Sequence, residues 1–264
     1  MSEEYRNKIN ELANIIKNSN KVCFFGGAGV STGSGIPDFR SVNGLYNEKD
    51  AEFSKFSPEY YLSHDCFVYQ PKDFYNFYRK KLDARKYEPN IVHKFLAKLE
   101  KEGKLNAVVT QNIDTLHEKA GTEKLFKIHG TIDKNHCVKC HAEYDGDFIF
   151  DSKEDTPRCP KCGKFVKPDV VLYGEGLPDK EVGAAIRAIS DADCLIICGC
   201  SLTVYPAASF IDYFGYNLSM DEQEKTKLIV INRDETERDH HADMIFREDM
   251  NEVFKDLAEI YEKN

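Results

Sequence analysis

A short apolar run that ends in glycines constrains the fold of this chain more than any other feature. Residues 22–25 read Val-Cys-Phe-Phe, as in a buried parallel strand, and Gly26, Gly27 and Gly29 follow directly. A strand that turns on glycines into a helix presents bare backbone N–H groups to a phosphate. Thr32 stands where a dinucleotide fingerprint has its third glycine, so the turn by itself fits a plain structural turn equally well.

The residues after this turn favour a nucleotide site of an unusual kind. Gly-Ile-Pro at 35–37 stops regular structure and brings Asp38, Phe39 and Arg40 beside the turn. An aromatic ring and a guanidinium suit chemistry on the ribose and nicotinamide rather than hydride transfer. The run Gly-Ala-Gly-Val-Ser-Thr-Gly-Ser-Gly-Ile-Pro-Asp-Phe-Arg, residues 27–40, closely resembles the signature of the sirtuins, the NAD-dependent protein-lysine deacylases. Among sirtuins, the chain most resembles those that consist of a short, bacterial-type catalytic core.

Size and charge limit the function classes. The 264 residues can form one large domain or a domain with an inserted module. A net charge of −9 argues against general nucleic-acid binding, which needs a basic footprint, and is compatible with basic peptide partners. Residues 1–20 are polar and amphipathic, so neither a signal peptide nor a membrane span is expected. The odd count of nine cysteines fits a reducing, cytoplasmic compartment, and we expect a monomer.

Four of the nine cysteines have the spacing of a metal site. Two Cys-x-x-Cys pairs, Cys137 with Cys140 and Cys159 with Cys162, lie about twenty residues apart. Four thiolates close a tetrahedron around zinc and leave no position for water or substrate, so the predicted zinc is structural. Redox thiols or disulfides are the alternative interpretation.

Polar residues follow two further apolar strands. Residues 105–110, Leu-Asn-Ala-Val-Val-Thr, read as a buried strand and lead into Gln111, Asn112, Ile113 and Asp114. In a doubly wound sheet, ligands bind where the strands end, although these residues also fit a turn that caps the next helix. His129 follows a short, mainly apolar strand at 125–128, and a histidine titrates near neutral pH.

These two segments match further sirtuin motifs. Gln-Asn-Ile-Asp is similar to the family's second motif, in which the asparagine and the aspartate hold nicotinamide and its ribose. His129-Gly130 is similar to the His-Gly motif. The resemblance therefore implies catalytic roles for His129, Asn112 and Asp114, with His129 as the general base that deprotonates a ribose hydroxyl.

Two later segments complete the resemblance. Residues 168–175, Pro-Asp-Val-Val-Leu-Tyr-Gly-Glu, read as a strand returning to the main domain and resemble the segment that pairs with peptide substrate. Tyr173 stands where sirtuins more often have phenylalanine. Residues 199–202 read Gly-Cys-Ser-Leu where the family usually has Gly-Thr-Ser-Leu, so Cys200 replaces a hydroxyl while the backbone contact is kept.

The resemblance implies a full set of contacts to NAD and to the acylated peptide. The residues expected to contact the cofactor are Gly27, Ala28, Gly29, Ser31, Thr32, Asp38, Phe39, Arg40, Gln111, Asn112, Ile113, Asp114, His129, Gly199, Cys200, Ser201, Asn232, Arg233 and Met250. Those expected to contact the peptide are Val170, Val171, Tyr173, Gly174, Glu175 and Val204.

An aromatic segment at 57–85 reads as short helices that either line an acyl pocket or form core. Sirtuins that remove acidic acyl groups carry a Tyr-x-x-Arg pair in this region. Here Tyr75 is followed three positions later by Tyr78, and Arg79 comes one place too late. This departure favours acetyl or another short neutral acyl group.

Strands predicted at 22–25, 105–110, 125–128, 170–173, 194–198 and 228–231 alternate with helices, predicted among others at 3–18, 89–102, 179–189 and 250–261. The fold class is therefore α/β, a Rossmann-like doubly wound parallel sheet with a small zinc-ribbon and helical lobe. We expect a large lobe from about 1–40, 86–130 and 167–264, and a small lobe from 41–85 and 131–166.

The expected activity is NAD-dependent removal of acetyl or another short acyl group from protein lysines, giving nicotinamide, O-acyl-ADP-ribose and free lysine. Two alternatives stay open. A mono-ADP-ribosyltransferase would pass ADP-ribose to a protein side chain. A non-catalytic NAD-binding or zinc-built interaction module would keep the glycine turn and the cysteines but would not need His129.

Overall fold

The computed structural model describes residues 2–39, 44–46 and 50–263. Arg40, expected to contact the cofactor, lies outside the described residues, as do residues 41–43 and 47–49. The α-helices are α1 (Glu3–Asn18), α2 (Gly29–Thr32), α3 (Pro58–Tyr61), α4 (His64–Tyr69), α5 (Pro71–Lys81), α6 (Ile91–Lys101), α7 (Leu116–Ala120), α8 (Asp147–Phe150), α9 (Asp179–Ser190), α10 (Met220–Gln223) and α11 (Met250–Lys263). Short 3-10 helices occur at Ala51–Phe53, Ala207–Tyr213 and Asp239–His241.

Within the described residues, nine strands form two sheets. They are β1 (Val22–Gly26), β2 (Leu105–Thr110), β3 (Leu125–Lys127), β4 (Gly130–Cys137), β5 (Glu143–Asp145), β6 (Val166–Val170), β7 (Cys194–Cys198), β8 (Lys227–Ile231) and β9 (Met244–Phe246). The six-stranded sheet has the order β3-β2-β1-β7-β8-β9, with every pair parallel. The three-stranded sheet has the order β5-β4-β6 and is antiparallel. The predicted doubly wound α/β fold is confirmed.

The six-stranded sheet is covered on both faces, which explains why its central strands read as continuous apolar runs. Every residue of β1 and β7 is buried. Successive residues point to opposite faces: Phe24 packs in the cluster that contains α1, α6 and α11, whereas Phe25 packs in the cluster that contains α9. The loops that follow the carboxyl ends of these strands form the candidate site.

The three-stranded sheet has a core of its own. It shares one buried cluster with helices α3, α4, α5 and α8, and the fully buried members include Phe74, Tyr75 and Tyr78 of α5. The aromatic segment at 57–85 therefore contributes mainly to the core, which is the second of the two interpretations, rather than to an acyl pocket. Of the helices in the described residues, none combines the length and apolar character that crossing a membrane demands.

Five of the six predicted strands are confirmed to within a residue at either end, but the strand at 170–173 is wrong. The observed strand, β6, ends at Val170 and pairs with β4 in the small sheet. Beyond it, Val171 donates to the carbonyl of His129 (2.9 Å) and Tyr173 to that of Leu62 (3.0 Å). The apolar run continues past the strand because its side chains meet the cavity and the small core. The three-residue edge strand β9 was not predicted.

Candidate functional site

The glycine turn after β1 is built by close approach to the turn after β7. The N–H of Gly27 donates to the carbonyl of Cys198 (3.1 Å), and that of Gly29 to the carbonyl of Gly199 (2.9 Å). A Cβ atom on Gly29 would lie 2.7 Å from the Cα of Gly199, closer than any side chain tolerates. Gly199 itself has φ of 57°, in the left-handed region that glycine adopts at little cost. These glycines are therefore required by packing, whatever they bind.

A cavity of about 780 Å³ opens at the carboxyl ends of β1, β2, β7 and β8. We call it the larger cavity. Parallel α/β sheets bind ligands at this edge. Most of the residues predicted to contact cofactor or peptide line it: Gly27, Ala28, Gly29, Thr32, Asp38, Phe39, Gln111, Asn112, Ile113, His129, Val170, Val171, Tyr173, Gly174, Glu175, Gly199, Cys200, Ser201, Val204, Asn232, Arg233 and Met250.

Ser31 and Asp114, the two remaining predicted residues within the described part of the chain, line a second cavity of about 260 Å³. This smaller cavity shares Ala28, Phe39 and Asn112 with the larger one. The two spaces therefore meet at a common wall, where residues from the glycine turn and from the end of β2 come together.

A buried hydrogen-bond network stands at this wall. The hydroxyl of Ser31 donates to a carboxylate oxygen of Asp114 (2.7 Å), and the side-chain amide of Asn112 donates to the hydroxyl of Ser31 (3.0 Å). The other carboxylate oxygen accepts from the N–H of Leu116 (3.0 Å), the first residue of helix α7. Burial raises the pKa of Asp114 above its ordinary value, although the hydroxyl of Ser31 opposes this. Thr115 occupies the N-cap position of α7 and makes no side-chain cap bond, so the expected cap by Asn and Asp is replaced by this single contact of Asp114.

His129 is held in a defined tautomer. Its Nδ1 lies 3.0 Å from the backbone carbonyl oxygen of Gln111. Because a carbonyl oxygen can only accept, Nδ1 carries the proton, and the lone pair of the neutral ring is on Nε2. Gly130 permits the turn, since its φ is 82° and a Cβ atom there would lie 1.9 Å from the carbonyl oxygen of Asp169. A neutral ring with a lone pair on Nε2 can act as a base in the larger cavity.

Residues 170–175 form one wall of the larger cavity, and Glu175 fixes their shape. Its carboxylate accepts from the N–H of Leu172 (2.9 Å) and pairs with Lys167 (3.0 Å) and His64 (3.0 Å). Burial alone would raise the pKa of Glu175, but these three partners outweigh it and hold that pKa below its usual value. The carboxylate thus positions this segment through contacts within the protein.

The end of β7 carries the cysteine that replaces the family's hydroxyl residue. The Sγ atom of Cys200 lies 2.8 Å from the side-chain amide nitrogen of Gln111, which donates to it. Farther along the sheet edge, the amide of Asn232 donates to the carbonyl of Asp234 (2.9 Å), and Arg233 lies 3.6 Å from Asp249. Met250 begins α11 and contacts the sulfur of Cys198 (3.7 Å).

The four predicted metal ligands converge. The Sγ atoms of Cys137, Cys140, Cys159 and Cys162 all lie within 4.8 Å of one another. The 137–162 and 140–159 pairs are 3.3 Å and 3.6 Å apart, far beyond a disulfide bond of about 2 Å. Four sulfurs at about 2.3 Å from a zinc ion are separated by about 3.8 Å in a tetrahedron, so the cluster fits zinc. His240 and His241 lie outside this cluster and are both exposed.

Sequence reasoning missed several residues of the larger cavity. Tyr46, Leu62, Leu82 and Tyr205 line it, and no motif marks them. Tyr75, Tyr78 and Arg79, in contrast, line neither of the two cavities; Arg79 instead donates to the carbonyls of Ser152 (3.1 Å) and Glu154 (2.8 Å).

The fold and site together define an α/β protein with a nucleotide-type cleft at the edge of a parallel sheet and a separate four-cysteine centre. The model of the Sir2 family matches residues 27–206. The chain belongs to this family, and the predicted resemblance to the sirtuins is confirmed.

Relatives are similar over nearly their whole length. A protein of Clostridium perfringens, named NAD-dependent protein deacetylase, is 52% identical over 248 residues, which cover 93% of this chain and 96% of that protein. A protein of Staphylococcus aureus strain N315 with the same name is 41% identical over 254 residues, covering 96% and 98%. A solved structure of Sir2 bound to an acetylated peptide has 32% identity and a TM-score of 0.81, covering 97% of this chain and 98% of that one. Another, Sir2 with a deacetylated p53 peptide and 3′-O-acetyl-ADP-ribose, has 33% identity and a TM-score of 0.82, covering 96% and 98%.

Proposed function

We propose that this protein removes acetyl or another short acyl group from protein lysines, with NAD as co-substrate. The observation that carries the proposal is His129, whose ring has a defined tautomer and lines the larger cavity, with the Ser31–Asn112–Asp114 network where that cavity adjoins the smaller one. Relatives named NAD-dependent protein deacetylase and a Sir2 structure with an acetylated peptide support it. The products would be nicotinamide, O-acyl-ADP-ribose and free lysine, with one water consumed.

NAD supplies an activated ribose, whose bond to nicotinamide breaks as the acyl oxygen takes its place. Phe39 and Ile113, which line both cavities, and Asp114, which lines the smaller one, would hold the nicotinamide portion. The turns at Gly27 and Gly199 would lie beside the phosphates, although the N–H groups of Gly27, Gly29 and Gly199 already donate to backbone carbonyls and are not the bare donors expected from the sequence. Nε2 of His129 would take the proton of a ribose hydroxyl, and Nδ1 would keep its own proton against the carbonyl of Gln111.

The acylated peptide would lie along residues 170–175, with Val204 on the other side of the larger cavity. An extended peptide that pairs with backbone groups there is held largely without regard to its sequence. Because Arg79 is held by backbone carbonyls outside both cavities, we propose a neutral acyl group. Zinc bound by the four cysteines would stabilise the small sheet and take no part in the reaction, since all four ligand positions are filled by protein.

We further propose a cytoplasmic monomer that binds no nucleic acid. A net charge of −9 supports the last point, and an odd count of nine cysteines, four of them clustered as a metal site, favours a reducing compartment. Light scattering after size-exclusion chromatography should give the mass of one chain, 30.2 kDa. A mass twice as large would contradict the monomer.

Mass spectrometry of an acetyl-lysine peptide tests the activity directly. The peptide should lose its acetyl mass only when NAD is present, and His129→Ala should abolish the loss. His240→Ala is the matched control, because His240 is exposed and lines neither cavity.

A gain of ADP-ribose mass on the peptide would instead favour the transferase, the second candidate. No change in the peptide and no release of nicotinamide, with a series of short acyl groups, would favour the non-catalytic module. Deacetylation that persists in His129→Ala would remove His129 as the base.

A further inference from the structure

Two tyrosine hydroxyls meet across the larger cavity. The hydroxyl oxygens of Tyr46 and Tyr173 are 2.7 Å apart, which is a good hydrogen bond between residues 127 positions apart in the chain. Both residues line the larger cavity. Tyr173 belongs to the wall proposed to bind peptide, whereas Tyr46 belongs to the loop that follows the glycine turn. The bond therefore joins two walls that meet different ligands.

On the cofactor side, Tyr46 is tied to Phe39. The N–H of Tyr46 donates to the carbonyl of Phe39 (2.9 Å), and the two rings pack with their centroids 5.4 Å apart. The preceding residue, Leu45, donates to the carbonyl of Asp38 (2.8 Å). Phe39 lines both cavities, so a displacement of Tyr46 changes the shared wall beside Asn112.

On the peptide side, the backbone of Tyr173 is fixed without its hydroxyl. Its N–H donates to the carbonyl of Leu62 (3.0 Å), and its own carbonyl accepts from the N–H of His64 (2.9 Å). Two residues earlier, Val171 binds the carbonyl of His129. The side chain of Tyr173 is 38% exposed. A phenylalanine would keep every backbone bond, so the fold does not need this hydroxyl, which bonds to Tyr46 within the described part of the chain.

We propose that Tyr46 and Tyr173 are a pair of positioning residues that couples the binding of acyl-lysine peptide to the binding of NAD. The inference rests on the proposed function. A peptide lying along residues 170–175 contacts Tyr173 and restricts its ring. Through the hydroxyl bond this restricts Tyr46 and, by packing, Phe39, so the nicotinamide side of the wall is already ordered when NAD arrives. Each ligand then binds more tightly in the presence of the other, because linkage is reciprocal.

The experiment measures that coupling at equilibrium. A fluorescent acetyl-lysine peptide is titrated by anisotropy with and without an NAD analogue in which a methylene replaces the ribose ring oxygen, so that the bond to nicotinamide is not cleaved. The ratio of the two dissociation constants is the coupling factor. The variants are Tyr46→Phe, Tyr173→Phe and both together, and Tyr213→Phe is the control because Tyr213 is exposed and lines neither cavity.

We expect the unaltered protein to bind peptide more tightly when the analogue is present. Each single variant should lower the coupling factor about fivefold, the value of one neutral hydrogen bond of ~1 kcal/mol. The double variant should lower it no further than either single one, since both remove the same bond. The melting temperature should not change in any of the variants, which separates positioning from a structural role.

An unchanged coupling factor in the single variants, or losses that add in the double variant, would overturn the pair while leaving the proposed function intact. A coupling factor of one in the unaltered protein would overturn it as well. Failure of the unaltered protein to bind either ligand would contradict the proposed function and the pair together.

Discussion

A buried pair of histidines makes the stability of this protein sensitive to acid in a measurable way. His93, in the first turn of α6, and His117, in α7, are buried, and their ring centroids are 4.6 Å apart. Asn90 and His93 form a capping box at the start of α6. Burial lowers the pKa of His93 to about 4, and burial together with His93 lowers that of His117 well below its usual value. Both rings are therefore neutral in the folded protein at pH 7.

The sign and size of the effect follow from the pKa of His93. A histidine in an unfolded chain has a pKa near 6.5. Between about pH 6.5 and 4, His93 therefore binds a proton in the unfolded chain but not in the folded protein. The stabilisation is complete above pH 6.5 and is lost as the pH falls towards 4. The full loss is ~3 kcal/mol, of which about 2 kcal/mol is already lost at pH 5 relative to pH 8. His117 adds to this loss in the same direction.

Urea unfolding of the unaltered protein and of His93→Gln at pH 8 and pH 5 measures the loss of stability that His93 causes. Glutamine at this position keeps the acceptor of the capping box but does not titrate. The free energy of unfolding of the unaltered protein should fall by about 2 kcal/mol more than that of the variant between the two pH values. Protonation of the zinc ligands destabilises both proteins and cancels in the comparison. His240→Gln should behave like the unaltered protein. Equal falls in His93→Gln and the unaltered protein would refute the reasoning.

Three further predictions concern the turn, the network and the metal centre. Gly29→Ala places a methyl group against Gly199. It should therefore lower the free energy of unfolding in urea by roughly 1–3 kcal/mol. It should also weaken NAD binding measured by calorimetry, and an unchanged affinity would contradict a tight turn. Asp114→Ala leaves the hydroxyl of Ser31 without its buried acceptor and should lower nicotinamide release at least tenfold by chromatography, whereas near-normal release would exclude Asp114 from the site. Cys159→Ser should lower the zinc content below one per chain and the melting temperature with it, whereas a stable, metal-free, active variant would contradict a structural zinc.

The sequence predicted those parts of the fold and site that have a distinctive local pattern of residue types. The buried parallel strands are apolar along their whole length because both faces of the sheet are covered, so they were recognisable. The paired Cys-x-x-Cys spacing likewise has few other uses. The strand predicted at 170–173 was wrong because an apolar run does not reveal whether its side chains meet a sheet, a small core or a cavity.

Contacts between segments that are distant in the sequence could not be predicted from it. The requirement for glycine at position 29 comes from a backbone 170 residues later, at Gly199. The hydrogen bond between Tyr46 and Tyr173 joins two segments whose proximity depends on the whole fold. The tautomer of His129 is set by the carbonyl of Gln111, which no spacing of residues indicates. Such features follow from tertiary structure, and the order of residues in the chain does not reveal them.

The fate of the acyl group tests the central claim most directly. A peptide whose lysine carries an isotope-labelled acetyl group is incubated with NAD and the protein, and the small-molecule products are identified by mass spectrometry. We predict that the label is recovered on ADP-ribose in amounts equal to the nicotinamide released, and that His129→Ala produces none. Label recovered as free acetate without consumption of NAD, or ADP-ribose attached to the peptide, would contradict the account.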